Sequence, residues 1–259
     1  MDLGITGRSA ILLGSSRGLG RACAESIARE GVHVVVNGRK PDDVERAAHE
    51  IAAAYGVKAT AVVGDALDDD TQARLLAAAP RPDIVLLNGE GPSPSRFGEL
   101  TEEKWSDALQ RGLVGPLAFV QKVLPGMCER GFGRIVAISS AMVKSPNSLM
   151  SLSHGTRLGL TGVLKGISKD VARHNVTINQ ILPERFDTAR QEQMAKVAMK
   201  MKGISYDEAR AEQIASIRAR RLGRPEELGD AFAFLCSAQA GYLSGQSIQM
   251  DGGSYEGVF

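Results

Sequence analysis

The chain has 259 residues, 43% hydrophobic and 24% charged, enough for a large buried core without disulfide or metal staples. Lys and Arg (31) nearly cancel Asp and Glu (30), leaving a net charge of +1 and no support for a nucleic-acid or anionic-membrane partner. Cys23, Cys128 and Cys236 are too scattered for a disulfide frame or a zinc site, no apolar run reaches bilayer length, and the first residues lack a secretory pattern, so a soluble, cytoplasmic protein is expected.

Apolar runs alternate with segments of helical period. A strand is expected over 9–14, then a helix over 18–30 stopped by Gly31. A strand over 32–37 leads to a helix over 41–55 stopped by Gly56. A strand over 60–63 precedes a helix over 68–79, whose first turn carries aspartates where the helix dipole favours anions. A strand over 83–87 is followed by a long helical region over 101–130, with kinks expected at Gly115-Pro116 and Pro125-Gly126. A strand over 134–139, a helix over 151–174 and a strand over 177–182 come next. A helix over 226–237 and a strand over 247–250 complete the chain.

The strands read as continuous apolar runs, the pattern of strands covered on both faces. Regular strand–helix alternation of this kind predicts a single-domain α/β fold, a doubly wound parallel sheet with helices on both faces. The segment 184–223 carries no strand signal. Its methionine-bearing patterns over 191–202 and 207–220 predict a helical insert, read either as a mobile substrate-side lid or as an ordinary surface helix pair. Met194, Met199 and Met201 read as helix packing, Trp105 as core, and Cys23 as a small buried filler.

Gly14-Ser15-Ser16-Arg17-Gly18-Leu19-Gly20 lies between the first strand and the first helix. Glycines there let backbone N–H groups approach a pyrophosphate at the helix N-terminus. Gly14, Ser16, Arg17, Gly18, Leu19 and Gly20 are therefore candidate nucleotide-binding residues; a purely structural turn is the alternative. After the second strand, Arg39 and Lys40 stand where an acidic residue would accept bonds from the ribose of NAD. With Arg17 they suit a 2′-phosphate, so NADP(H) is expected over NAD(H); the alternative is that they are solvated loop charges.

At this point the sequence resembles the short-chain dehydrogenase/reductase family along nearly its whole length. The resemblance rests on Gly14, Gly18 and Gly20, on Asp65-Ala66, on Asn88-Gly89-Glu90-Gly91, and on the pair Ser139-Ser140. It continues through Arg221-Leu222-Gly223-Arg224-Pro225-Glu226-Glu227 and Tyr242-Leu243-Ser244-Gly245-Gln246 to Asp251-Gly252-Gly253. The resemblance implies a seven-stranded Rossmann sheet, an NAD(P)(H)-dependent oxidoreductase and a homo-oligomer, tetramer or dimer. It places Asp65 and Ala66 at the adenine, Asn88 and Gly89 along the cofactor, Thr188 at the nicotinamide end, and Ser140 at the reacting carbonyl.

The family's Tyr-x-x-x-Lys falls on Ser153 and Arg157, and no tyrosine occurs between Tyr55 and Tyr206. The helix asparagine of the family falls at Gly112, and its Pro-Gly after the sixth strand becomes Pro183-Glu184. A subgroup with Ser-x-x-x-Arg and a loop like Gly91-Pro92-Ser93-Pro94-Ser95 resembles this chain. A serine stops one bond past Cβ and is a far weaker acid than a phenol of pKa about 10. Arg157 keeps the charge but cannot shuttle a proton. Ser140, Ser153 and Arg157 are the catalytic candidates. His154, Lys144 and Glu184 are further candidate proton donors, set against packing, solvated-loop and capping roles. Two functions compete: an oxidoreductase for a small carbonyl/alcohol substrate with altered proton transfer, and an NADP(H)-binding sensor or oligomer partner without turnover.

Overall fold

The computed structural model describes residues 1–258. Its strands are β1 (Ser9–Leu12), β2 (His33–Gly38), β3 (Ala59–Val63), β4 (Ile84–Leu87), β5 (Gly133–Ile138), β6 (Val176–Pro183) and β7 (Ser247–Met250). They form one sheet in the order β3-β2-β1-β4-β5-β6-β7, and every neighbouring pair is parallel. The helices α1 (Gly18–Arg29), α2 (Pro41–Tyr55) and α3 (Asp69–Ala78) return the chain between the first four strands. After β4 come α4 (Glu102–Leu109) and α5 (Gly115–Arg130), and after β5 comes α6 (Ser151–Val171). The remaining helices, α7 (Ala189–Lys202), α8 (Tyr206–Ala215) and α9 (Pro225–Cys236), all lie between β6 and β7.

Strand geometry explains the unbroken apolar runs. Successive side chains point to opposite faces, so Ala10 and Leu12 join one core with Ile27 of α1 and Phe232 of α9. Ile11 and Leu13 join the other, with Phe119 and Met127 of α5 and Leu160 of α6. Both faces are covered, so a polar strand residue has to find its partners inside the fold, as Asn37 of β2 and Asn179 of β6 do. A charged residue in β5 does the same. Arg134 in β5 is 1% exposed; its guanidinium donates to the carbonyls of Gly133, Asn175 and Ser237 and lies 4.2 Å from the centre of the Phe132 ring.

The structure corrects several expected boundaries. β1 ends at Leu12 rather than at residue 14, because Gly14 turns into the left-handed region at φ +59. The long helical region after β4 is broken by one turn of π-helix over Gln110–Val114, which ends where Gly115-Pro116, the first expected kink, opens α5; at the second, Pro125 is accommodated inside α5. α6 ends at Val171 in a short 3₁₀ turn, with Asn175 at φ 55. α8 stops at Ala215, five residues short of the pattern. Trp105 is only half-buried; its ring lies 3.0 Å from where a Cβ on Gly155 of α6 would sit. Met201 is 82% exposed, against its reading as packing, whereas Cys23 is fully buried as expected.

Candidate functional site

The order of strands reverses between β1 and β4, and the segments leaving their C-terminal ends form one edge of the molecule. Ligands of open parallel sheets bind at such a switch point. The glycine segment lies there. Gly14 and Gly18 have φ of +59 and +58, a conformation that side chains disfavour. A Cβ on Gly20 would overlap the Gly14 carbonyl oxygen and come within 2.7 Å of Asn88 Nδ2. Asn88 Nδ2 itself donates to Gly14 O at 2.8 Å, tying the β4 end to the turn. Arg17 is the N-cap of α1 and its side chain makes no capping bond. The first-turn N–H groups therefore remain available to an anion. A backbone cradle that only glycine fits, ending on a helix N-terminus, suits a diphosphate.

Two buried residues that sequence reasoning passed over set this loop. Ser15 is fully buried; its hydroxyl donates to Leu12 O and accepts from the Asn37 N–H. Asn37, 2% exposed, donates through Nδ2 to the carbonyls of Val62 and Gly64. Its Oδ1 lies 3.4 Å from Gly14 N. Ser16 faces Gly38, where a Cβ would sit 2.7 Å from its Oγ. A polar Ser and Asn inside an apolar strand–turn–strand region are the only trace of this hub in the sequence.

On the β2–β3 side, Arg39 pairs with Glu90 at 2.6 Å, and Asp65 pairs with Arg111 at 3.0 Å. Burial works against the Asp65 charge. The Leu67 N–H, Arg111 and Arg39 outweigh it and hold the carboxyl below its usual range. Ala66 is half-buried beside Asp65, Gly89 is exposed, and Arg17 and Lys40 point to solvent.

At the β5 end, Ser140 Oγ accepts from Met142 N at 3.2 Å and caps a short turn over Ala141–Val143. One turn into α6, Ser153 is 4% exposed. Arg157 Nε donates to Ser153 Oγ at 3.1 Å, and its Nη1 donates to Ile138 O at 3.2 Å, the last carbonyl of β5. The i, i+4 spacing on α6 stacks the two side chains. Gly91 covers them: a Cβ there would lie 3.1 Å from Arg157 Nη2 and 4.0 Å from Ser153 Oγ. Desolvation pulls the Arg157 pKa below the ordinary guanidinium value, yet a guanidinium remains charged in proteins. Ser140, Ser153 and Arg157 thus converge on the end of β5.

The other candidates separate. His154 is buried, which pushes its pKa down, and its ring faces the Asn147 N–H at 3.3 Å. It holds the loop before α6. Lys144 Nζ lies 5.5 Å from the centre of the Tyr255 ring, a C-terminal contact that the sequence did not announce. Glu184 follows β6, and burial, with Asp251 nearby, raises its pKa despite Arg185 at 3.5 Å. Thr188 is the N-cap of α7, and its Cγ2 lies 4.0 Å from where a Cβ on Gly18 would sit, so the base of the helical segment meets the glycine turn.

Residues 14–255 match the family model described as enoyl-(acyl carrier protein) reductase. The chain is 31% identical over 257 residues to the NADPH-dependent reductase BacG of Bacillus subtilis, covering 97% of this chain and 99% of that protein. It is 29% identical to the 3-oxoacyl-[acyl-carrier-protein] reductase FabG of Aquifex aeolicus, over 98% of this chain and the whole of that one. Among solved structures, L-sorbose reductase from Gluconobacter frateurii, complexed with NADPH and L-sorbose, superposes with a TM-score of 0.94 at 28% identity, covering both chains completely.

Proposed function

The chain belongs to the short-chain dehydrogenase/reductase family, and on that premise we propose that it is an NADP(H)-dependent oxidoreductase acting on a small carbonyl/alcohol pair. The cofactor assignment is supported by the glycine cradle, by Arg39 beside it, and by the NADPH-dependent relatives. Gly14, Gly18 and Gly20 with the α1 N-terminus would hold the diphosphate, Arg39 the 2′-phosphate, Asp65 and Ala66 the adenine, and Thr188 the nicotinamide end. Bound there, the nicotinamide supplies or takes the hydride.

The observation that carries the chemistry is the Ser153–Arg157 pair at the end of β5. Because Ser153 Oγ accepts from Arg157 Nε, its own hydrogen is left to donate. In the reductive direction Ser153 and Ser140 hydroxyls orient the carbonyl oxygen. The fixed guanidinium stabilises the charge that grows on that oxygen as the carbon is reduced. Arg157 cannot give up a proton, so the proton that completes the alcohol comes from water, passed through Ser153. Positioned acid–base transfer is thereby weakened, while proximity to the hydride donor remains a separate source of rate.

A specific observation favours a second reading. Ser153 is nearly closed off beneath Gly91, as suits a protein that binds NADP(H) without turnover. Fluorescence titration with NADPH and NADH, followed by a carbonyl and alcohol screen, tests both. We expect NADPH to bind more tightly and at least one carbonyl to consume it. Failure to bind either nucleotide refutes both readings. A silent wild type beside an active Ser153→Tyr/Arg157→Lys variant favours the binding protein. We further propose a cytoplasmic homo-oligomer, in which α7 and α8 form the substrate-side wall.

A further inference from the structure

We propose that Glu90 is a specificity-determining residue that competes with the 2′-phosphate of the cofactor for Arg39; the inference rests on the NADP(H) reading above. Arg39 follows β2 and Glu90 follows β4, and β1 lies between these two strands in the sheet. An ion pair of 2.6 Å between Arg39 Nη2 and Glu90 Oε2 therefore bridges the end of β1, from which the glycine turn departs. A dinucleotide seated on that turn has its adenosine half beside the bridge.

The chemistry of the two possible occupants decides the outcome. A phosphate monoester offers Arg39 a stronger acceptor than a carboxylate, with more charge and three oxygens. It must still take the guanidinium from Glu90 and then sit beside a carboxylate of like sign. The unphosphorylated ribose of NADH makes no claim on the guanidinium and leaves the pair intact. Glu90 thus taxes NADPH and spares NADH, so the preference for NADPH is narrower than Arg39 alone would create. Arg39 and Glu90 side chains are 58% and 68% exposed, so the effect is that of a solvated pair, a few-fold rather than many orders.

The test is equilibrium binding to the full chain, read by nucleotide fluorescence and independent of turnover. Glu90→Gln should tighten NADPH by roughly three- to tenfold and change NADH by less than about twofold. Glu90→Lys should tighten NADPH at least as much. Raising NaCl from about 0.05 M to about 0.5 M should shrink the gain, since exposed charges are screened. In an Arg39→Gln background, Glu90→Gln should lose most of its effect. Unchanged or weaker NADPH binding in both Glu90 variants, with melting temperatures like wild type, overturns the proposal, as does an equal gain for NADH. Absence of any nucleotide binding, in wild type and variants alike, instead refutes the NADP(H) reading on which it rests.

Discussion

Ser153 Oγ accepts from Arg157 Nε, which leaves its O–H free for the proposed role toward a carbonyl oxygen, and two variants separate that role from mere packing. Ser153→Ala keeps the helix and removes the hydroxyl; kcat for carbonyl reduction should fall by about 10²-fold with NADPH affinity unchanged. Arg157→Lys keeps the charge, but a lysine has no Nε–Nη fork to bond Ser153 and Ile138 O together. Its kcat should fall by roughly tenfold, measured beside the NADPH dissociation constant. Glu184 reports through pH. Its carboxyl is raised by burial, so the folded chain holds that proton more tightly than the unfolded chain does. Stability conferred in this way is present at low pH and falls as pH rises from the unfolded to the folded pKa. Glu184→Gln should therefore raise Tm at pH 8 and leave it unchanged near pH 4, as followed by thermal unfolding across pH. A residue-by-residue sequence reading named Ser140, Ser153 and Arg157 as candidates. It did not foresee the partners of Asn37, Glu90, Arg111 and Tyr255, because each lies against a residue distant in the chain.

The elements show which glycines are dictated by contact and which by turn geometry. Gly20 lies inside α1, where alanine would normally help, yet its Cβ would overlap Gly14 O. Gly20→Ala should destabilise the fold by about 1–3 kcal/mol and weaken NADPH binding at least tenfold; denaturant unfolding and titration read the two effects. The π-turn between α4 and α5 holds a similarly close approach. Gly112 meets α6 so closely that a Cβ there would lie 2.8 Å from Thr156 Cβ and 2.7 Å from its Oγ1. Gly112→Ala should cost about 1–3 kcal/mol, and Thr156→Gly should recover much of that loss in the double variant. Element type was legible from periodicity at nearly every position. The π-turn was not, since the i→i+4 pattern continues through it and only the packing of α4 and of the turn itself against α6 shows where the extra residue falls.

For the whole molecule, the informative surface is carried by α4, the π-turn after it, and α6. Leu109, Val114, Leu158 and Val163 are each at least 38% exposed there. The proposed homo-oligomer would cover them. Leu158→Glu/Val163→Glu should then lower the assembly state by light scattering, without a loss of helical circular dichroism. At the same scale no helix among the described residues is long and apolar enough to cross a membrane.

By itself, the sequence determined the layered architecture, because unbroken apolar strands have to be covered on both faces and short connections leave few ways to do so. It also determined the glycine turn and the serine–arginine spacing, both of which are local features read within a few residues. Only the tertiary structure decided which charges meet. Arg39 reaches Glu90 across β1, Arg111 reaches Asp65, and Gly91 closes over Arg157 because three strand ends share one edge of the sheet. Charge partnership depends on distance in space, and polar loop residues carry no periodic signal from which that distance can be read.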